Sequence, residues 1–215
     1  MNVQAKRYSF ESLMVPDAGE SGERVIKKNA SIAKWRLVPR YLVTLDAKVE
    51  FVKEGVTLPE GTELTVTDQG PRIGCTVAKV SRMAMLGARY VCFIDTDGDD
   101  KFDHWFKRGG DVVGPWGTER AKIPFGRMYK IPEAGFSFRP SELSDSSGFL
   151  EILLYDGRFR VCVNGDLLCF ANDVKFDRKE IPFKLSMLGA EFEILEYSDG
   201  ILRVKDVVAP KVQVF

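Results

Sequence analysis

Five carboxylates crowd into nine residues of this chain: Asp95, Asp97, Asp99, Asp100 and Asp103, within Ile94-Asp-Thr-Asp-Gly-Asp-Asp-Lys-Phe-Asp103. No other stretch has a spacing that by itself suggests a specific chemistry, and the chemistry here is ion binding rather than catalysis. Two carboxylates about 6 Å apart repel by about 0.7–3 kcal/mol as the effective dielectric falls from that of water to about 20. Folding such a segment tightly is unfavourable unless something neutralises it. A hard divalent cation does so, because Ca²⁺ accepts six to eight oxygen ligands in irregular geometry. Alternate positions of a curled loop converge on one point. The expected ligands are therefore the side chains of Asp95, Asp97, Asp99 and Asp103 with the carbonyl of Lys101.

In this spacing the stretch resembles the Asp-x-Asp-Gly-Asp-x-x-x-Asp calcium loops of extracellular β proteins and of EF-hand-like loops. The resemblance covers residues 95–103 and implies Ca²⁺ as the cofactor. Two positions depart from the pattern. The sixth, usually a glycine with positive φ, is Asp100, a residue that tolerates that conformation better than most. The twelfth, where an EF-hand supplies a bidentate Glu, is Phe106, so the segment is not an EF-hand and a further ligand must come from elsewhere. Asp111 and Glu119 stand downstream. The competing reading is a solvated turn in which Asp side chains bond nearby backbone and Lys101, Lys107 and Arg108 screen the charge.

Other chemistries find little footing. Any Ser-His-Asp or Cys-His site must use His104, the sole histidine. No partner is identifiable, and His104 reads as a strand residue beside the acidic loop, alternating with Phe102 and Phe106. The glycines between residues 109 and 117 fit neither a phosphate loop nor a dinucleotide fingerprint. Four cysteines, Cys75, Cys92, Cys162 and Cys169, match no zinc spacing. Cys75 and Cys92 would bridge if their strands are neighbours, and otherwise stand as buried thiols.

The elements that position these residues read as β. Residues 41–52 alternate apolar with polar, residues 62–67 are β-branched, and 75–80 and 89–94 form further strands around turn signals. Residues 25–35 suit either a short helix or a Lys-rich strand edge. Ile123-Pro124, Ile131-Pro132 and Arg139-Pro140 argue for edge strands or irregular crossings between residues 120 and 148. Further on, Asp156-Gly157 and Asn164-Gly165 suit two-residue type I′ turns. Taken literally, they pair Leu154 with Phe159, Ile152 with Val161 and Leu150 with Val163, then Val161 with Leu168 and Phe159 with Phe170. That register leaves Cys162 and Cys169 diagonal and unpaired. Around Asp199-Gly200, Glu196 would oppose Arg203 and Leu195 would oppose Val204. The expected fold is all-β: an antiparallel sandwich or two packed sheets built from hairpins, with at most one short helix. Residues 1–24 would be an N-terminal arm and 25–215 a single domain, with a sub-boundary near the polar segment 141–148.

Thirty-one basic residues balance thirty-one acidic ones, so nothing favours nucleic acid or an anionic membrane surface as a partner. No apolar run is long enough for a membrane span. The first residues lack a signal-peptide core, which fits a cytoplasmic protein or a trimmed mature chain. The reading that absorbs most of this is a non-enzymatic, calcium-stabilised β-domain protein, periplasmic or secreted, with a binding or structural role toward an unknown protein or carbohydrate ligand. The alternatives are a carbohydrate-active hydrolase on a β-sandwich and a metal-free cytosolic interaction module.

Overall fold

The structure, a computed structural model of the chain, describes residues 7–8, 10–17, 22–27, 30–51, 56–67, 70–77, 81–83, 87–109, 121–122, 128–142, 148–155, 157–163, 168–169 and 174–214. Numbered along the chain, the strands begin with β1 (Arg7–Tyr8), β2 (Ser12–Pro16), β3 (Glu23–Lys27), β4 (Ser31–Pro39), β5 (Leu42–Leu45), β6 (Val49–Phe51) and β7 (Val56–Leu58). They continue through β8 (Glu63–Val66), β9 (Ile73–Thr76), β10 (Ser81–Met83), β11 (Gly87–Ile94), β12 (Lys101–Gly109), β13 (Ala121–Lys122), β14 (Tyr129–Arg139) and β15 (Gly148–Tyr155). The last are β16 (Arg158–Val163), β17 (Leu168–Cys169), β18 (Val174–Lys175), β19 (Phe183–Met187), β20 (Ala190–Ser198), β21 (Ile201–Val208) and β22 (Gln213–Val214). The fold is all-β and antiparallel, with no helix of seven or more residues among the described residues. The segment that suited helix or strand is two strands, β3 and β4, with Val25 exposed beside buried Ile26 in the two-residue period of a sheet.

The chain divides into two compact units. One comprises Met1–Ser12 and Pro39–Ser147, the other Leu13–Val38 and Gly148–Val214. In the first, strands run β10-β11-β12-β14-β5-β8-β9, and β9 pairs again with β11. That second pairing closes six strands into a barrel. Val43, Leu45, Leu64, Val66, Val91, Phe93, Phe102, Trp105, Ile131 and Ala134 form its buried core, joined by Val49, Phe51 and Leu58 from β6 and β7. Phe93 stacks on Phe102 with centroids 5.4 Å apart. The alternation expected over residues 41–52 breaks at 46–48, so it supplies two strands, β5 in the barrel and β6 outside it. Beyond the barrel core, Cys75 and Cys92 face each other across β9 and β11 and form a disulfide, packed in a second cluster with Phe10, Ile73, Tyr90, Ile94 and Phe106.

Pro132 lies inside β14, a strand paired on both sides, and not on an edge. The ladder with β12 is interrupted there: Phe102 opposes Ala134, and His104 opposes Lys130. A residue with no N–H is tolerated where no bond is required of it. The same irregularity moves the alternation of β12, so that Phe102 and Trp105 share the barrel core and Phe106 joins the other cluster. His104 does not share one face with both phenylalanines, as strict alternation implied.

In the second unit, one sheet runs β17-β16-β15-β4-β2-β22 with β18 also on β16, and another runs β19-β20-β21-β3. The β15–β16 hairpin has the expected register, Leu154 opposite Phe159 through Leu150 opposite Val163. The next connection does not. Val163 opposes Leu168, Cys162 opposes Cys169 and the two cysteines form a disulfide, while Phe159 opposes Val174. The expectation of unpaired thiols is thus corrected. The register is displaced by two residues from that of a two-residue turn, which preserves the parity of the pairing but changes the partners. Asn164-Gly165 and Phe170 lie outside the described residues. Asp199 and Gly200 both have positive φ, 50° and 79°, and set Glu196 opposite Arg203 as expected. An irregularity then puts Ile194, not Leu195, opposite Val204.

One close approach in the barrel yields a prediction. A Cβ on Gly74 would stand 2.7 Å from Phe102 Cζ, 3.2 Å from Leu64 Cδ1 and 3.3 Å from Val66 Cγ1. Gly74→Ala should destabilise the chain by about 1–3 kcal/mol, read from urea unfolding. An unchanged midpoint would mean that the Phe93–Phe102 stack is not held as tightly as described.

Candidate metal centre

The acidic loop joins β11 to β12 at one end of the barrel. Asp95, its first residue, is 3% exposed. Its N–H donates to the Arg72 carbonyl at 2.9 Å, tying the loop to the entry of β9. Its carboxylate accepts the N–H of Gly98 at 2.7 Å and that of Asp100 at 3.0 Å, so the backbone curls around this one side chain. The curl requires positive φ at Gly98 (82°) and Asp100 (63°). Asp takes the place usually held by Gly there, with its side chain free to reach a partner.

Asp97 accepts from the N–H of Asp99 at 3.4 Å, and Asp99 from that of Lys101 at 2.9 Å. These local bonds turn the side chains back over the loop. One oxygen each of Asp95, Asp97 and Asp99 lies within 4.8 Å of the others. Two oxygens bound to one Ca²⁺ at about 2.3–2.6 Å can be no more than about 5 Å apart, so the three are within reach of a single ion. Asp95 keeps acceptor capacity for it, because a carboxylate has about four lone-pair sites and two are in use.

The other two expected ligands are placed differently. Asp103 falls at the irregular step of β12. Its Oδ1 accepts the Thr96 N–H at 3.0 Å, and its Oδ2 accepts the Thr96 hydroxyl. Nδ1 of His104 lies 3.1 Å from the same Oδ2. Asp103 thereby clasps the mouth of the loop. Lys101 opens β12 opposite Gly135, and its ammonium bonds Glu133 at 2.8 Å and stands 3.6 Å from Asp99. The Glu133 carboxylate, with Asp99 beside it, holds the Lys101 pKa above its ordinary value. Asp111 and Glu119 lie outside the described residues.

Two cations answer the loop: Lys101, and Arg72, whose Nη1 is 2.9 Å from Asp100. Asp97 has no cationic partner among the described residues. The contributions of Arg72, Glu133 and Thr96 were not legible in the sequence. Arg72 and Glu133 arrive through strand pairing across long separations, and Thr96 occupies a motif position that carries no residue preference.

Burial pushes the Asp103 carboxyl up, but the Thr96 hydroxyl, the neighbouring His104 and the Thr96 N–H together hold it below its ordinary value. A carboxyl depressed in the folded state contributes stability that is present above the unfolded pKa, near 3.8, and is lost as pH falls through the lower folded value. In EDTA at pH 7, Asp103→Asn should therefore cost about 1 kcal/mol. The gap to the parent chain should narrow as the pH drops below the ordinary carboxylate range, as read by urea unfolding. A gap independent of pH would contradict this role. No protein-family model, curated protein or solved structure matches the chain, so the reading of the loop rests on its own geometry.

Proposed function

We propose that the 95–103 loop binds Ca²⁺ through Asp95, Asp97 and Asp99, and that the chain is a non-enzymatic β-domain protein with a binding or structural role outside the cytoplasm. The observation that carries the reading is the convergence of three carboxylate oxygens within 4.8 Å of one another. The donors are all oxygen, with no thiolate or imidazole among the three, which favours a hard ion over zinc or copper. Asp97, exposed and with no cationic partner among the described residues, would gain one in the ion. In this role the ion stabilises the β11–β12 hairpin end and does no chemistry.

Both cysteine pairs are bridged and no thiol is free. Disulfides persist in oxidising compartments, which supports a periplasmic or secreted setting over a reduced cytosolic module. Hydrolysis of glycosides calls for two opposed, available carboxylates in a cleft. The carboxylates lining one cleft of the second unit, Asp17 and Asp206, are each held by an arginine, Arg36 at 2.9 Å and Arg24 at 2.6 Å. That arrangement favours binding over glycoside hydrolysis.

An ion that binds only the folded state stabilises it by about 2.7 kcal/mol at a hundredfold excess over Kd, worth roughly 5–10 °C in a chain of this size. Thermal melts in EDTA and in millimolar calcium should differ by that amount. Asp97→Asn should abolish the calcium response while leaving the EDTA midpoint within about 1–2 °C of the parent, because Asp97 is exposed. Equal midpoints for the parent chain with and without calcium would remove the metal from the account.

A further inference from the structure

The second unit carries a cleft of about 550 Å³ that lies by the tips of two hairpins. Tyr155 comes from the β15–β16 tip and Tyr197 from the β20–β21 tip, with Lys27 and Arg178 from β3 and the 3₁₀ turn Arg178–Glu180. None of the described residues lining it is acidic. Lys27 and Arg178 pair with no carboxylate among the described residues, so two positive charges are left unanswered at one concave surface, where the field of a charge is focused.

Arg178 is nonetheless held in place. Its guanidinium carbon stands 4.3 Å from the Tyr197 ring centroid, and Nη2 donates to the Tyr197 hydroxyl at 3.3 Å. Tyr197 meets Phe176 edge-on at 5.5 Å, and Phe176 packs on Phe159 at 5.4 Å, so the guanidinium is aligned by a chain of rings that ends in the core. A planar cation oriented without a counter-ion, with N–H donors to spare, is preorganised for a carboxylate fork. Tyr155 is 56% exposed at the rim; the Arg160 guanidinium carbon stands 5.4 Å from its ring centroid, which leaves one aromatic face for a ligand. Gly157 and Gly200, both with positive φ, line it as well, and the Gly157 carbonyl accepts the Phe176 N–H at 2.9 Å.

We propose that this cleft binds an acidic saccharide. The carboxylate of the sugar pairs with Arg178 and Lys27, its C–H face lies on Tyr155, and its hydroxyls meet the phenol and the turn backbone. The volume is in the range of small-molecule sites. A purely apolar ligand leaves both cations desolvated and unpaired, which is costly. A nucleic acid is the weaker fit, since it draws its affinity from many cations along a groove, and the described lining of this cleft offers two on a chain of zero net charge.

The test is calorimetric titration of the full chain, in EDTA and again with calcium, using trigalacturonate and sialyllactose as probes. The methyl ester of trigalacturonate and a short oligothymidylate serve as comparisons. Saturable binding of at least one acidic sugar is expected, about tenfold weaker in Arg178→Gln and in Tyr155→Ala, both substitutions at exposed positions, with the neutral ester weakened to a similar degree. The proposal is overturned if neither acidic sugar binds, if ester and acid bind alike, or if both variants bind as the parent does. Tighter binding of the oligothymidylate than of either sugar would also overturn it.

Discussion

The pairing of β9 with β11 is the constraint from which the rest of the first unit follows. It closes the barrel, and it does so at a place where Gly74 must stay small so that Phe102 can pack against the strand. The Cys75–Cys92 bridge spans the next rung of the same ladder. Because β9 lies beside the end of β11, Arg72 arrives next to the acidic loop and supplies both a carbonyl for Asp95 and a cation for Asp100. Without that closure the loop would be a free hairpin end, with its charges spread into solvent. With it, three carboxylates stand close enough to share one ion, and among the described residues neither Asp95 nor Asp97 has a cationic partner.

A second constraint acts from the opposite side of the same hairpin. Pro132 cannot donate to β12, and the ladder between β12 and β14 is broken beside it. Asp103 sits in that break and reaches Thr96 across the mouth of the loop. Glu133, next to the proline, draws Lys101 across to β14. The loop is therefore shaped by both neighbouring strands, and its charge balance is a property of the barrel end more than of the nine-residue motif.

How much of this could be read from residue order depends on which interactions are local. The carboxylate convergence and the positive φ at Asp100 follow from side chains acting on backbone a few residues away, and both were legible. So was the parity of the β15–β16–β17 meander, because an odd shift would turn its apolar face to water. The register itself was not. A displacement of two residues preserves every face, so burial cannot discriminate it, and it converts Cys162 and Cys169 from diagonal neighbours into a bridged pair. The interruptions at Asp103 and Leu195 escaped for the same reason: each is a compromise between two strands, and neither strand encodes it alone. The Tyr155–Arg178–Tyr197 cleft was equally silent, since its parts lie in separate hairpins and meet only on folding.

The account comes down to whether the carboxylates of Asp95, Asp97 and Asp99 hold one ion. Terbium, a luminescent substitute for calcium that can be excited through tryptophan, reports this directly, with Trp105 in the same hairpin. The account predicts emission that saturates at one ion per chain, is displaced by calcium, and is lost in the double variant Asp97→Asn, Asp99→Asn. Emission that never rises, or that is unchanged in the double variant, would contradict it and leave the loop a solvated turn.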